Sequence, residues 1–401
     1  MELMDRIKAL SREYYDDVVF YRRHFHAAPE LSMQEHQTAA YIAARLKEMG
    51  IPFREGVAKT GIVAHIEGQD PASRVVALRA DMDALPIQEE NRVEYKSQTP
   101  GVMHACGHDV HMASLLGAAR ILHSLRQEWK GTIKLIFQPS EEKYPGGASL
   151  MIKEGALKDP VPQAIFGQHV FPGLPAGKVG FRSGMYMAST DEIYITVKGR
   201  GGHAATPFMN VDPVLIASHI VVALQQVVSR NARPNVPTVL SFGRIIGDGA
   251  TNIIPDKVEL EGTIRTFDEE WRAKAHLRIR EIAVFTAQGM GGDCEVFIDK
   301  GYPYLVNDPG VTAKFRQYAS EYLGRDNVEE LDLAMTAEDF AYYSQKVPAC
   351  FYRLGIRNVE QGFTSNLHTS TFDVDEKAME TGMGLMAWVA LNELANVSSK
   401  T

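Results

Sequence analysis

Cysteine is scarce: Cys106, Cys294 and Cys350 are the only three in 401 residues. They cannot all pair with one another, so free or metal-bound thiols in a reducing compartment are expected. Positive charge is also short. Lys and Arg number 42 against 50 Asp and Glu, a net charge of −8, which argues against a nucleic-acid or anionic-membrane partner. No apolar run reaches the roughly 18–20 residues that a membrane span requires. The segment from Met1 to Ser11 is charged and amphipathic, without the apolar core and small-residue cleavage site of a secretory signal. A cytoplasmic location is therefore expected. Internal repeats and low-complexity tracts are absent as well. What is present is ordinary for a globular chain, with 45% hydrophobic and 23% charged residues. The length exceeds what one simple core organises, so two domains are expected.

Periodicity then orders the chain. A helix is predicted over 4–27, ended by Ala28-Pro29-Glu30, and a second over 34–49, stopped by Gly50. Residues 62–66 and 75–80 are short apolar runs, the second almost continuous, as a strand buried on both faces would be. A helix at 111–126 and buried strands at 132–138 and 164–168 follow. Polar residues collect just after three of these strands: Asp81-Met82-Asp83, Ser140-Glu141-Glu142 and His169. In open α/β sheets that edge is where active sites form. The alternation predicts a mostly parallel, doubly wound α/β sheet. After Arg182-Ser183-Gly184 the texture changes. Segments 191–198, 238–245, 257–266 and 295–299 alternate apolar and polar positions, with helices at 213–229 and 269–289 between them. This β-α-β-β-α-β order predicts a ferredoxin-like insertion. The expected domains are 1–185, an insertion over 186–300, and a return over 301–401 that closes with a helix at 376–395.

The hexapeptide His104-Ala105-Cys106-Gly107-His108-Asp109 concentrates a thiol, two imidazoles and a carboxylate. Gly107 lets the backbone turn tightly enough for Cys106 and His108 to face one point. Thiolate and imidazole suit a borderline-soft divalent ion such as zinc. Alone, this turn fits a buried structural element equally well. Glu141-Glu142, His169 and His368 downstream complete a set of metal ligands with one carboxylate to spare, which is the inventory of a metal-dependent hydrolase.

The order Asp81-Met82-Asp83-Ala84-Leu85-Pro86, His104 to Asp109, Gln138 to Glu142, His169, Gly199 to Ala205, Thr251 to Pro255 and His368 resembles the aminoacylase/carboxypeptidase metallopeptidases. The match is to the branch of bacterial N-acyl-amino-acid amidohydrolases, hippurate hydrolases and plant indole-acetyl-amino-acid hydrolases. The resemblance implies two divalent ions, Zn, Mn, Co or Ni, with Cys106 at the bridging position and His108, Glu142, His169 and His368 at the terminal ones. It implies Glu141 as general base, while Asp83 is expected either to orient the His108 ring by accepting its N–H or to cap a helix or loop. Asp81 stands where other branches carry a histidine, and His108 supplies that imidazole. His104 and His111 match no ligand position, and Asp109 is expected to cap the following helix. In the insertion, a lid and dimerisation domain by resemblance, His203 matches an oxyanion-stabilising residue that acts across the interface in dimeric relatives. Asn252 matches a substrate-binding position, and Arg265 is a weaker candidate for a carboxylate clamp. The implied activity is hydrolysis of N-acyl-L-amino acids by a homodimer or higher homo-oligomer. A dipeptidase or carboxypeptidase, or a non-catalytic metal-binding scaffold, remains the alternative.

Overall fold

The computed structural model describes residues 2–396. The chain begins with α1 (Leu3–Glu13), α2 (Tyr15–Ala27) and α3 (His36–Glu48), then β1 (Phe53–Val57), β2 (Gly61–Glu67) and β3 (Val75–Asp81). Next come α4 (His108–Ser124), β4 (Thr132–Gln138), α5 (Gly147–Lys153), β5 (Ala164–Pro175) and β6 (Val179–Phe181). A second run holds β7 (Asp191–Lys198), α6 (Pro213–Gln226), β8 (Thr238–Ile246), β9 (Lys257–Thr266), α7 (Glu269–Gly289) and β10 (Asp293–Lys300). The chain closes with α8 (Pro309–Leu323), β11 (Val328–Glu330), β12 (Ala349–Arg357) and α9 (Ala378–Ala395). Two compact units result. One comprises Met1–Gly184, Val306–Asp332 and Asp339–Thr401, the other Met185–Leu305 and Leu333–Glu338.

The first unit carries an eight-stranded sheet in the order β1-β2-β4-β3-β5-β12-β6-β11. Its centre, β4-β3-β5-β12, is parallel, and antiparallel pairs lie toward the two margins. Every residue of β3 and β4 is buried, which explains their mostly apolar sequences: both faces are covered. The mostly parallel α/β sheet is as expected. The predicted single helix over 4–27 is two helices. Tyr14 leaves helical geometry at φ −91° and ψ 1°, and its ring packs beneath the Arg120 guanidinium of α4, 3.9 Å from centroid to carbon. Strand β1 is not anticipated by the pattern. Its sequence Phe53-Arg54-Glu55-Gly56-Val57 exposes the three central residues, so an edge position leaves no alternation to read.

The second unit is a four-stranded antiparallel sheet in the order β8-β9-β7-β10, with α6 and α7 contributing to its core. This is the expected ferredoxin-like arrangement. Helix α6 and the turn after it, Pro213–Asn231, are long and apolar enough to cross a membrane by composition. Its inner stripe of Ile216, Ala217, Ile220 and Leu224 instead packs into the core of its own unit.

Candidate metal centre

Parallel strands of the first unit bring their C-terminal ends to one edge, and the loops there carry the polar residues. β3 ends at Asp81, with Asp83 just beyond, and β4 leads into Glu141 and Glu142. β5 runs on to Pro175, so His169 lies within it rather than after it, just past the stretch that pairs with β3. Helix α4 opens inside the hexapeptide, with His108 as its first residue and Gly107 as N-cap at φ 80°. A side chain is excluded at that cap twice over. The left-handed backbone disfavours one, and a Cβ would sit 2.4 Å from Val170 Cγ2. The loop bearing His368 is tied to the same turn by a hydrogen bond from its peptide N–H to the Ala105 carbonyl, 2.8 Å.

These supports draw the ligand candidates together. Cys106 Sγ lies 3.4 Å from His169 Nε2 and 3.3 Å from His368 Nε2. Glu142 Oε1 lies 3.3 Å from His368 Nε2 and 4.0 Å from His108 Nε2. Cys106 therefore belongs to two donor triads, one with His108 and His169 and one with Glu142 and His368. The ring orientations are set from behind. His108 donates from Nδ1 to the Asp83 carbonyl at 2.7 Å, and His169 from Nδ1 to the Val170 carbonyl at 2.8 Å. In the neutral form of each ring, Nε2 is thereby the lone pair, aimed at the centre.

A divalent cation fits this arrangement. His108 Nε2 and Glu142 Oε1 are buried with no hydrogen-bond partner, a costly state unless something meets them. Burial alone would lower the His108 pKa, yet Asp81, Asp83 and Glu142 push it up to about 10. Burial, and then Glu142, Glu141 and Asp81, raise the Cys106 thiol well above its ordinary range. The pocket has a surplus of negative charge, and a bound cation would favour the thiolate.

Asp83 serves in both of the expected ways. Its carbonyl takes the His108 N–H at 2.7 Å, with its carboxylate Oδ1 3.4 Å from the same nitrogen. The carboxylate also caps the loop, accepting the peptide N–H groups of Glu141 (2.9 Å) and Glu142 (3.0 Å) and the Ser32 hydroxyl (2.6 Å). It shapes the turn that carries both glutamates. Glu141 is only 7% exposed. Asp109 is not the helix cap, a place Gly107 holds. It is buried against Arg22 (2.8 Å) and His26 (2.8 Å). His111 donates from Nδ1 to Asp81 (2.5 Å) and accepts the Val170 N–H at Nε2 (2.8 Å), so both nitrogens are engaged. His104 is buried, and desolvation lowers its pKa to about 3. Sequence reasoning did not single out Ser32, Arg79 or Asp339. Arg79 is buried between Asp81 (2.6 Å) and Asp339 (2.9 Å). A fully charged residue inside the otherwise apolar β3 was the available signal, since it requires buried partners.

In the second unit, His203 is exposed in a short ladder, Gly202–His203 against Ile253–Ile254. Its Nδ1 accepts the Ala205 N–H at 3.0 Å, which leaves Nε2 as a proton donor. The Ala204 N–H donates to the Asn252 carbonyl at 3.0 Å, so His203 and Asn252 share one loop cluster. Arg265 does not join them. It lies near the far end of β9, where Nε donates to Thr263 Oγ1 at 3.2 Å.

Residues 77–392 match the profile of peptidase family M20/M25/M40. The chain belongs to this family. Among its M20 relatives, thermostable carboxypeptidase 2 of Saccharolobus solfataricus is 39% identical over 98% of this chain and 99% of its own length. N-acetylcysteine deacetylase of Bacillus subtilis is 38% identical over 96% and 99%. A solved structure of a Bacillus subtilis dinuclear metal-binding M20 peptidase superposes with a TM-score of 0.81 at 34% identity, covering 96% of this chain and all of the other. The M20 family is one of metal-dependent amidohydrolases and peptidases, so this chain is an enzyme of that class.

Proposed function

We propose that this enzyme hydrolyses the amide bond of N-acyl-amino acids, releasing a carboxylate and a free amino acid. The observation that carries the reading is the place of Cys106 in two donor triads, beside a buried carboxylate, Glu141, in neither. The two ions would be held by Cys106, His108, Glu142, His169 and His368. When bound, they supply Lewis-acid polarisation of the scissile carbonyl and acidification of water. Glu141 takes the proton of the attacking water and passes it to the leaving amine. Asp83 holds the peptide groups of Glu141 and Glu142, so that neighbouring carboxylates serve two purposes from one turn. His203 Nε2, a donor, is suited to stabilise the tetrahedral oxyanion, and Asn252 beside it to bind the substrate. The likeness to a deacetylase of N-acetylcysteine supports the acyl substrate. The likeness to a carboxypeptidase favours a second reading, peptides with a free C-terminus. The outward side chains Val214, Leu215 and Val222 of α6 offer a surface for pairing two copies.

A panel of acetyl- and benzoyl-amino acids and dipeptides, run on metal-loaded protein, tests the reading. Turnover of N-acyl-amino acids above dipeptides is expected, and the reverse preference would replace it with the peptidase reading. Glu141→Gln should keep two metal equivalents and lose about 10³-fold or more in kcat. Near-native turnover in that variant would remove Glu141 from its role.

A further inference from the structure

The opposite end of β4 from the glutamate turn carries a second charged cluster. On the sheet face turned away from core residues Ile62, Ala64 and Ile66, Arg54 of β1 pairs with Val63, and His65 of β2 pairs with Lys134 of β4. The C-terminal end of α5 and the loop after it close over this face. Between them lies a cavity of about 530 Å³, lined by Arg54, His65, Lys153, Glu154, Lys158 and Asp159, within the size range of small-ligand sites. The Lys134 ammonium is fully buried and donates to the carbonyls of Ala156 (3.0 Å) and Lys158 (2.6 Å), bracing the wall.

The charges here are unbalanced. Among the described residues, Arg54, Lys134, Lys153 and Lys158 make no ion pair. Arg54 donates to the Glu154 carbonyl (3.2 Å), while the Glu154 carboxylate is turned to the Ala58 N–H (2.8 Å). Four cations against the two carboxylates of Glu154 and Asp159 leave a surplus of two positive charges. His65 Nε2 is buried there with no hydrogen-bond partner. Burial, with Lys134 and Arg54, depresses His65 to about 4, and burial depresses Lys134 to about 8, with Arg54 adding to the effect and Asp159 opposing it. Like charges crowded together are unfavourable by themselves, and a dianion in the cavity offsets them.

We propose that this cavity is a second ligand site, binding phosphate or a small phosphomonoester as a dianion, with Arg54, Lys153 and Lys158 supplying the countercharge and the His65 ring forming part of the wall. The chain passes from β4 through the Glu141–Glu142 turn into α5 and back to this cavity, so an anion there ties the foot of α5 to β4. The test is calorimetric titration of the metal-loaded protein with inorganic phosphate, glycerol 3-phosphate and succinate, alongside NMR of the His65 ring. One phosphate per chain is expected, with a shift of the His65 signal and affinity weakened about tenfold or more by the double variant Lys153→Gln/Lys158→Gln. Both lysines are exposed, so the double variant should fold. Phosphate binding that ignores the double variant, or that leaves the His65 signal in place, belongs to the metal centre and overturns the proposal. No binding of any probe overturns it also, and succinate binding tighter than both phosphates overturns the ligand assignment.

Discussion

Asp83→Ala removes one buried carboxylate and leaves three donors facing the vacancy: the peptide N–H groups of Glu141 and Glu142 and the Ser32 hydroxyl. Hydrogen bonds to a charged acceptor contribute about 1.5–3 kcal/mol each, and a buried donor left unpaired costs about 1–3 kcal/mol. The hydroxyl can rotate to another acceptor, but the two peptide groups cannot. A loss of about 3–5 kcal/mol in the stability of the metal-free protein follows. Because these peptide groups fix Glu142, metal affinity should fall about 10–100-fold, as for other groups that hold a ligand in place. Asp83→Asn keeps the shape and one acceptor oxygen but turns an amide N–H toward a donor, so it should fall between Ala and wild type on both measures. Urea unfolding of the metal-free protein gives the first quantity and competitive chelator titration the second. Wild-type metal affinity in both variants would show that the turn holds its shape without Asp83.

Gly107→Ala should cost about 2–4 kcal/mol, the sum of the left-handed backbone penalty and the clash with Val170. Adding Val170→Ala should recover part of the loss in thermal unfolding, and an additive double variant would mean that the clash is not felt. In the second unit, Asp191 is buried beneath Arg272 and His276. Burial would raise its pKa, but the bonds from Arg272 and His276 hold it below the ordinary 3.8. Its contribution is thus fully present above pH 3.8 and is lost as pH falls through the folded value. Asp191→Asn should cost about 3–5 kcal/mol at neutral pH, and much less once the pH is low enough to protonate Asp191 in the native protein. A variant that tracks wild type in parallel through that range would refute the linkage.

The ligand candidates were legible because metal chemistry restricts them to Cys, His, Glu and Asp, and because each stands at or beside a strand end or turn that periodicity could locate. The order of strands and helices was legible for the same reason: β3, β4, β7 and β9 are buried on one or both faces and say so in their side chains. Strand β1 was not, since an exposed edge makes no demand on composition. The break at Tyr14 was not, since it depends on where Arg120 of a distant helix lies. The role of Asp83 was half legible. Its two tasks could be read, but which of its oxygens takes the His108 N–H is a matter of backbone path. Arg265 failed to join His203 and Asn252 because a strand of ten residues separates its ends too far for one loop cluster.

The two imidazoles anchored from behind, His108 and His169, are held by main-chain carbonyls, those of Asp83 and Val170. Substitution cannot delete such an acceptor, because every residue has one. Side chains at 83 and 170 can drift, with other costs, while the tautomer of each ring is inherited from the path of β3 and β5. In a mutational scan, the ligands themselves would appear as intolerant positions, but the two carbonyls that aim His108 and His169 would leave no trace of their own. The aim of these two rings is in this sense stored in the path of the strands, and selection for a well-formed sheet preserves it.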